Sequence, residues 1–158
     1  MPIQGDVIFC DDIRHEITGK AILVGAYGAT LRTSGDLPFT IDRLVLACRL
    51  YIPAANIPKQ AKFLVYYPQS KEAPDFESEL NMPEQLSVEK LALIPRAEDR
   101  FEPRFQMSFQ IELEKIDIEI EGFIRVRAIL DDEYVRVGDL RVSKIEENDR
   151  SIEEEPST

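Results

Sequence analysis

Between residues 105 and 120 apolar and polar side chains alternate, with one slip. Phe105, Met107, Phe109, Ile111 and Leu113 share one parity, and Gln106, Ser108, Gln110, Glu112 and Glu114 the other. A period of two puts one face of a strand against a core and the other in water. Beyond Lys115 the phase flips, so that Ile116, Ile118 and Ile120 become the apolar set. A slip of one residue predicts a turn or bulge near Lys115. Gly122 separates this stretch from 123–130, where Ile124, Val126, Ala128 and Leu130 share a face opposite Arg125 and Arg127. Asp131-Asp132-Glu133 reads as a polar hairpin turn, and 134–142 as the returning strand, with Gly138 a bulge or bend. The core ends near Ile145.

Upstream, the stretches 6–14, 20–32, 39–52 and 62–67 are rich in Val, Ile, Leu, Phe and Tyr and are punctuated by Thr18-Gly19, Ser34-Gly35-Asp36 and the prolines at 53 and 58. They read as further strands joined by turns. Leu44-Val45-Leu46-Ala47-Cys48 is apolar on both parities, as in a central strand covered on both sides, a pattern that periodicity alone does not separate from a short buried helix. From 69 to 103 Pro74, Pro83, Pro95 and Pro103 recur among charges. One short helix is expected at 83–91, where Pro83 suits a first helical position. So long a connection is expected to pack in part on the body. Seven or eight strands without sustained helix–strand alternation predict an all-β protein, an antiparallel β-sandwich of immunoglobulin-like or C2-like form. Residues 1–145 form the single domain in this reading.

Composition changes the picture mainly by exclusion. The chain has 158 residues, one histidine, two cysteines and a formal charge of -11. Six acids and one arginine fall in 146–158, a segment with little to bury, expected to be a disordered acidic tail. The acidity argues against sequence-independent nucleic-acid binding and against an anionic membrane surface. No apolar run approaches the ~18 residues of a spanning helix, and no secretion signal is apparent at the N-terminus. The expected location is therefore cytoplasmic, with Cys10 and Cys48 as buried thiols rather than a disulfide.

Asp11-Asp12-Ile13-Arg14-His15-Glu16 is the densest polar cluster in an apolar region. With Phe9 pointing inward, strand parity carries Asp11 inward too. It would then be a buried carboxylate needing Arg14, or Lys20 across the hairpin, as partner. Asp11, Asp12, Arg14, Glu16 and Lys20 are thus binding candidates, against the alternative that they only fix the hairpin. Any Ser/His/Asp or Cys/His catalysis would have to use His15. Cys10 and His15 lie ~16 Å apart on a regular strand and on opposite parities, so no catalytic residues are assigned. One histidine and two separated cysteines make a zinc site improbable. A calcium site would need Asp131, Asp132 and Asp139 to meet Asp36 or Asp42, and no calcium loop motif is present. Gly25, Gly28 and Gly35 match no phosphate-binding loop. No metal and no cofactor is assigned. Tyr66 and Tyr67, with Tyr51 and Phe76, lie beside the proline-rich connection and form an aromatic candidate patch, although such aromatics also pin loops to a core.

The run Phe9-Cys10-Asp11-Asp12-Ile13-Arg14-His15-Glu16, then Gly19-Lys20, then Leu23-Val24-Gly25-Ala26-Tyr27 resembles a family of small uncharacterised bacterial proteins of unknown function. The pattern is F-C-D-D-I-R-x-E, then G-K, then L-x-G-x-Y. In this chain Ile17-Thr18 stand where a second glycine is common. The resemblance implies a single all-β domain in a bacterial or phage setting, and it supplies no activity. Fold and missing catalytic set together predict a non-enzymatic protein-interaction module. It would act through a strand edge or the 69–103 region, on a protein partner or as a homo-oligomer. The alternatives are a small-ligand or calcium-binding C2-like domain and, third, an enzyme using Asp11, Asp12 and His15.

Overall fold

A computed structural model describes residues 2–81 and 104–145; the expected helix at 83–91 and the acidic segment 146–158 lie outside the described residues. The described residues form ten strands: β1 (Gln4–Cys10), β2 (Asp12–His15), β3 (Ala21–Val24), β4 (Thr30–Thr33), β5 (Phe39–Pro53), β6 (Gln60–Tyr66), β7 (Phe76–Asn81), β8 (Arg104–Ile118), β9 (Gly122–Leu130) and β10 (Glu133–Lys144). A three-stranded sheet, β1-β5-β8, faces a five-stranded sheet, β4-β10-β9-β6-β7, and β2-β3 stands apart as a two-stranded hairpin. The two larger sheets share one apolar core, so the all-β sandwich expectation holds. Two features differ from it. The strands outnumber the seven or eight expected, because 6–14 breaks at Asp11, 20–32 breaks at Gly25, and β7 forms inside the proline-rich connection. The pairing is also not wholly antiparallel, since β4 runs parallel to β10.

Side-chain alternation builds the core. Leu44, Leu46, Leu50 and Ile52 of β5 are fully buried and face Ile124, Val126 and Leu130 of β9 and Leu140 and Val142 of β10 within one cluster. Phe63 of β6 and Phe109 of β8 meet across the layers with ring centroids 3.9 Å apart. The phase flip in β8 occurs at Lys115, whose φ of 51° places it in the left-handed region. Ile116 and Ile118 thereby return to the core at 0% exposure. In β5 the apolar set shifts as well, from Phe39 and Ile41 to Leu44 and Leu46, opposite that turn of β8. The β9–β10 hairpin closes through Asp131 and Asp132. Asp131 has a φ of 51°, and its carboxylate accepts the backbone N–H of Lys59 and of Gln60, each at 3.0 Å. The register of β9 with β10 shifts between Arg136 and Gly138, the bulge expected there. Gly138 also lets the sheets close: a Cβ on it would lie 2.4 Å from Val7 Cγ1.

β5 is covered on both sides over 44–48, as its double-parity pattern predicts. Val45 is fully buried yet lies outside the inter-sheet core, on the opposite face of the sheet. Cys10 pairs with it in register and contacts its carbonyl through Sγ at 3.5 Å. Something therefore covers the outer face of the three-stranded sheet, and that covering element is the hairpin, whose β2 packs on β5.

Candidate functional site

β1 leaves its sheet after Cys10, and the chain turns out through Asp11 into β2. The Asp11 N–H donates to the Val24 carbonyl at 3.0 Å, and the Tyr27 N–H to the Phe9 carbonyl at 2.7 Å, so both arms of the hairpin are bound where they meet the sandwich. Gly25 has a φ of +63°, and a Cβ there would fall 2.0 Å from Asp11 Oδ2. The Asp11 carboxylate thus lies directly on a bare backbone. Its Oδ1 accepts the Tyr27 hydroxyl at 2.7 Å. Burial, followed by this hydrogen bond and the Asp11 charge, pushes the Tyr27 pKa up to about 12. Asp11 is exposed rather than buried, and its partner is Tyr27 rather than Arg14 or Lys20. The parity argument fails because Phe9 and Cys10 are both buried and the strand ends there; alternation does not extend past a break.

A chain of polar contacts holds the hairpin over the sheet. Asp12 Oδ1 meets Arg43 of β5 at 3.1 Å, and Arg14 Nε lies 3.8 Å from Asp12 Oδ2. Arg43 also meets Glu112 of β8 at 3.3 Å. Glu112 accepts from Gln110 Nε2 at 3.1 Å, which leaves Gln110 Oε1 as the acceptor for His15 Nε2, also at 3.1 Å. His15 therefore carries its proton on Nε2 in this arrangement. At the tip, the Glu16 N–H donates to the Lys20 carbonyl at 2.8 Å and the Glu16 carboxylate accepts the Thr18 hydroxyl at 3.2 Å. Arg43, Glu112 and Arg14 are solvent-exposed, so each ion pair contributes only about 0–1 kcal/mol.

Beneath the hairpin lies a cleft of about 480 Å³. Ile13 and Leu23 of the hairpin face Ile8 and Ala47 of the sheet, and His15, Arg49 and Gln110 stand among the polar residues that bound it. Ala47 makes the space: a small residue on the outer parity of β5, between Val45 and Arg49. Residue patterning alone does not reveal the cleft. The available signal is the apolar outer parity of Ile8, Val45 and Ala47, which no single strand needs if that face meets water. The hairpin's other face is mixed, with Asp12 opposite Val24 and Arg14 opposite Ile22; Ile22 is 46% exposed, and Ile17 at the tip is fully exposed.

The remaining candidates fall elsewhere. Tyr66 and Tyr67 follow from β6 of the other sheet and do not line this cleft. The Arg125 guanidinium lies 4.9 Å from the Tyr66 ring centre, and Asp75 accepts the Tyr67 N–H at 2.6 Å and the Ser70 hydroxyl at 2.8 Å. Burial raises the Tyr67 pKa. These contacts pin the connection after β6. The calcium candidates do not converge: Asp131 caps Lys59 and Gln60, Asp139 pairs with Arg127 at 2.6 Å and with Arg136, and Asp36 meets Lys144 at 3.2 Å. No group of three His, Cys, Asp or Glu side chains suited to a metal occurs among the described residues. Cys10 and Cys48 are free and buried on opposite faces of one sheet. Burial pushes the Cys48 thiol up to about 12, and burial with the charges of Asp11 and Asp12 raises that of Cys10. Both thiols are thereby held neutral and weakly nucleophilic.

Fold and site define a two-sheet β-sandwich that carries a latched hairpin over an apolar cleft. Residues 6–143, from β1 through nearly all of β10, match the model of DUF6941, a family of unknown function. The chain belongs to that family. No curated protein and no solved structure matches it.

Proposed function

We propose that this protein is a non-enzymatic protein-interaction module whose contact surface is the β2–β3 hairpin with the cleft beneath it. One observation carries the reading: the hairpin leaves two large apolar side chains in solvent, Ile22 on its outer face beside Arg14 and Ile17 at its tip. A lone two-stranded hairpin is marginal in water, and exposed apolar side chains on it are a cost unless something covers them. The polar groups around the cleft are spent on one another, His15 with Gln110 and Arg49 with Asp6 at 2.8 Å. They do not converge on a substrate position as a catalytic set must. The cleft volume lies within the range of small-ligand sites, which favours a second reading as a small-ligand pocket. The setting assigned to the role is the cytoplasm of a bacterial or phage-infected cell, in keeping with two unpaired buried thiols. Likeness to immunoglobulin-like or C2-like sandwiches is an analogy of layering and carries no function.

The test uses the full chain as bait in the lysate of its source organism, with native mass spectrometry of what it retains. One stoichiometric protein should be captured, lost on Ile17→Asp with Ile22→Asp, and kept on Tyr134→Ser, an exposed aromatic elsewhere. Retention by the hairpin variant would remove the assignment. A bound small molecule displaced by the cleft-filling Ala47→Phe would install the ligand reading instead. Turnover abolished by His15→Gln would make the protein an enzyme.

A further inference from the structure

The second site is on the opposite sheet. β4 and β10 run parallel, with Arg141 in register with Thr30 and Ser143 with Arg32. Leu31, Leu140 and Val142 are buried, so alternation turns Thr30, Arg32, Arg141 and Ser143 to the outer face. With Lys144, Glu121 and Ile145 they line a polar cleft of about 520 Å³. Three cations and two hydroxyl side chains stand there against Glu121, and Asp36 meets Lys144 at 3.2 Å, which leaves a local positive excess on a chain that carries 19 basic and 30 acidic residues. Arginine's planar fork is suited to carboxylates, and a pair of them on adjacent strands suits a row of carboxylates.

The chain itself supplies such a row. Ile145 lines the cleft and donates its N–H to the Thr33 carbonyl at 2.9 Å. The thirteen residues that follow in sequence contain Glu146, Glu147, Asp149, Glu153, Glu154 and Glu155 against a single base, Arg150. At ~3.3 Å per residue they reach roughly 40 Å, well beyond the length of β4. Attachment at the rim sets an effective concentration on the order of millimolar. We propose that the β4–β10 cleft is the docking site of the acidic segment 146–158 of the same chain, which shields these cations from acidic segments of other proteins. The inference is independent of the hairpin reading, and neither stands or falls with the other.

The experiment places a nitroxide on Ser157→Cys in the full chain, where Cys10 and Cys48 are buried and escape labelling. At about 10 mM salt the amide signals of residues 31–33 and 141–143 should be selectively weakened. At about 1 M salt, where the Debye length falls from roughly 30 to roughly 3 Å, they should recover. They should recover as well when the six acids are changed to their amides, Glu146→Gln through Glu155→Gln with Asp149→Asn. A synthetic peptide of sequence 146–158 should bind the amide-tailed chain at least about tenfold more tightly than the unaltered one. Weakening that survives salt and amidation, or that centres on another surface, overturns the proposal. So does its appearance in unlabelled copies mixed with labelled ones, which would make the occupant a second molecule.

Discussion

Changing Gly25 to Ala tests the hinge of the hairpin directly. Two costs are readable from the structure. A left-handed backbone, here φ +63°, costs an L-residue about 1–2 kcal/mol. The new Cβ would stand 2.0 Å from Asp11 Oδ2 and 2.7 Å from Asp11 Cγ, where ordinary contacts are 3.4–4 Å. The carboxylate must swing away and give up the 2.7 Å hydrogen bond from Tyr27. Hydrogen bonds to charged groups are worth about 1.5–3 kcal/mol, and this exposed one belongs at the lower end. The total is about 2–4 kcal/mol, read as a lower urea midpoint at unchanged m-value. The Asp11 and Tyr27 amides, which bridge hinge and sheet, should also exchange faster. In an Asp11→Ala background only the Cβ of residue 11 remains, at 3.2 Å, so Gly25→Ala should cost little beyond its backbone share of about 1–2 kcal/mol. The two changes are thus coupled. Equal costs in both backgrounds, within about 0.5 kcal/mol, would refute the argument that Asp11 rests on the Gly25 backbone.

Other perturbations test the remainder of the structure. Gly138→Ala places a Cβ 2.4 Å from Val7 Cγ1 and should lower stability by about 1–3 kcal/mol through overpacking where the sheets close; an unchanged melting temperature would contradict that closure. Leu46→Ala empties a fully buried position and should cost about 2–5 kcal/mol in chemical unfolding. Arg43→Ala releases Asp12 and Glu112; global stability should move by less than about 1 kcal/mol, while the Asp11 and Glu16 amides exchange faster and core amides do not. Alkaline pH should destabilise the fold: Tyr27 rises from an ordinary 10 to about 12 and Cys48 from 9 to about 12. Both are neutral when protonated and the unfolded chain ionises first, so their stabilisation is intact below about pH 9 and lost by about pH 12. A denaturation midpoint flat from about pH 8 to about pH 11 would contradict it.

The parts of the fold legible in the sequence are those set by local alternation. The slip at Lys115, the β9–β10 hairpin, the bulge at Gly138 and the two-sided burial of β5 all appear as breaks or doublings of a period of two. What alternation does not encode is where a strand leaves its sheet. Phe9 and Cys10 are both buried, so the stretch 6–14 reads as continuous although Asp11 ends it. Gly25 ends its partner by a left-handed backbone that many glycines do not adopt. The parallel pairing of β4 with β10 joins segments some hundred residues apart and leaves no periodic trace. β7 is half-buried at best, and among prolines and charges it resembles a loop. At the site, the polar cluster stood out in the sequence, but its partners Tyr27, Arg43 and Gln110 come from other strands. Tyr66 and Tyr67, candidates for their place beside the proline-rich connection, lie at and just past the end of β6 in the opposite sheet.

The residues of the N-terminal polar cluster and of the Gly25–Tyr27 stretch sort by what they do to the hairpin. Asp11, Gly25 and Tyr27 form its hinge, and Asp12, Arg14 and His15 belong to its latch. The polar cluster is thereby accounted for as positioning machinery, with Asp11 and Asp12 each holding a partner and neither lining the cleft. What positioning does not explain is the apolar surface that it holds in place: Ile13 and Leu23 over a space they do not fill, Ile22 beside Arg14 on the outer face, and Ile17 at the tip in water. The latch is made of exposed contacts worth about 0–1 kcal/mol each, whereas the sandwich below is closed by fully buried side chains. Lifting the hairpin breaks these exposed contacts and uncovers Val45 and Cys10, a smaller apolar surface than the inter-sheet core. An apolar segment entering beneath it would displace a few rim contacts and gain about 25 cal/mol for each Å² of apolar surface removed from water. A hairpin held by exposed contacts over a stable scaffold suits a reversible interaction, and it is why we propose the hairpin as the contact surface rather than the well-pinned connection that carries Tyr66 and Tyr67.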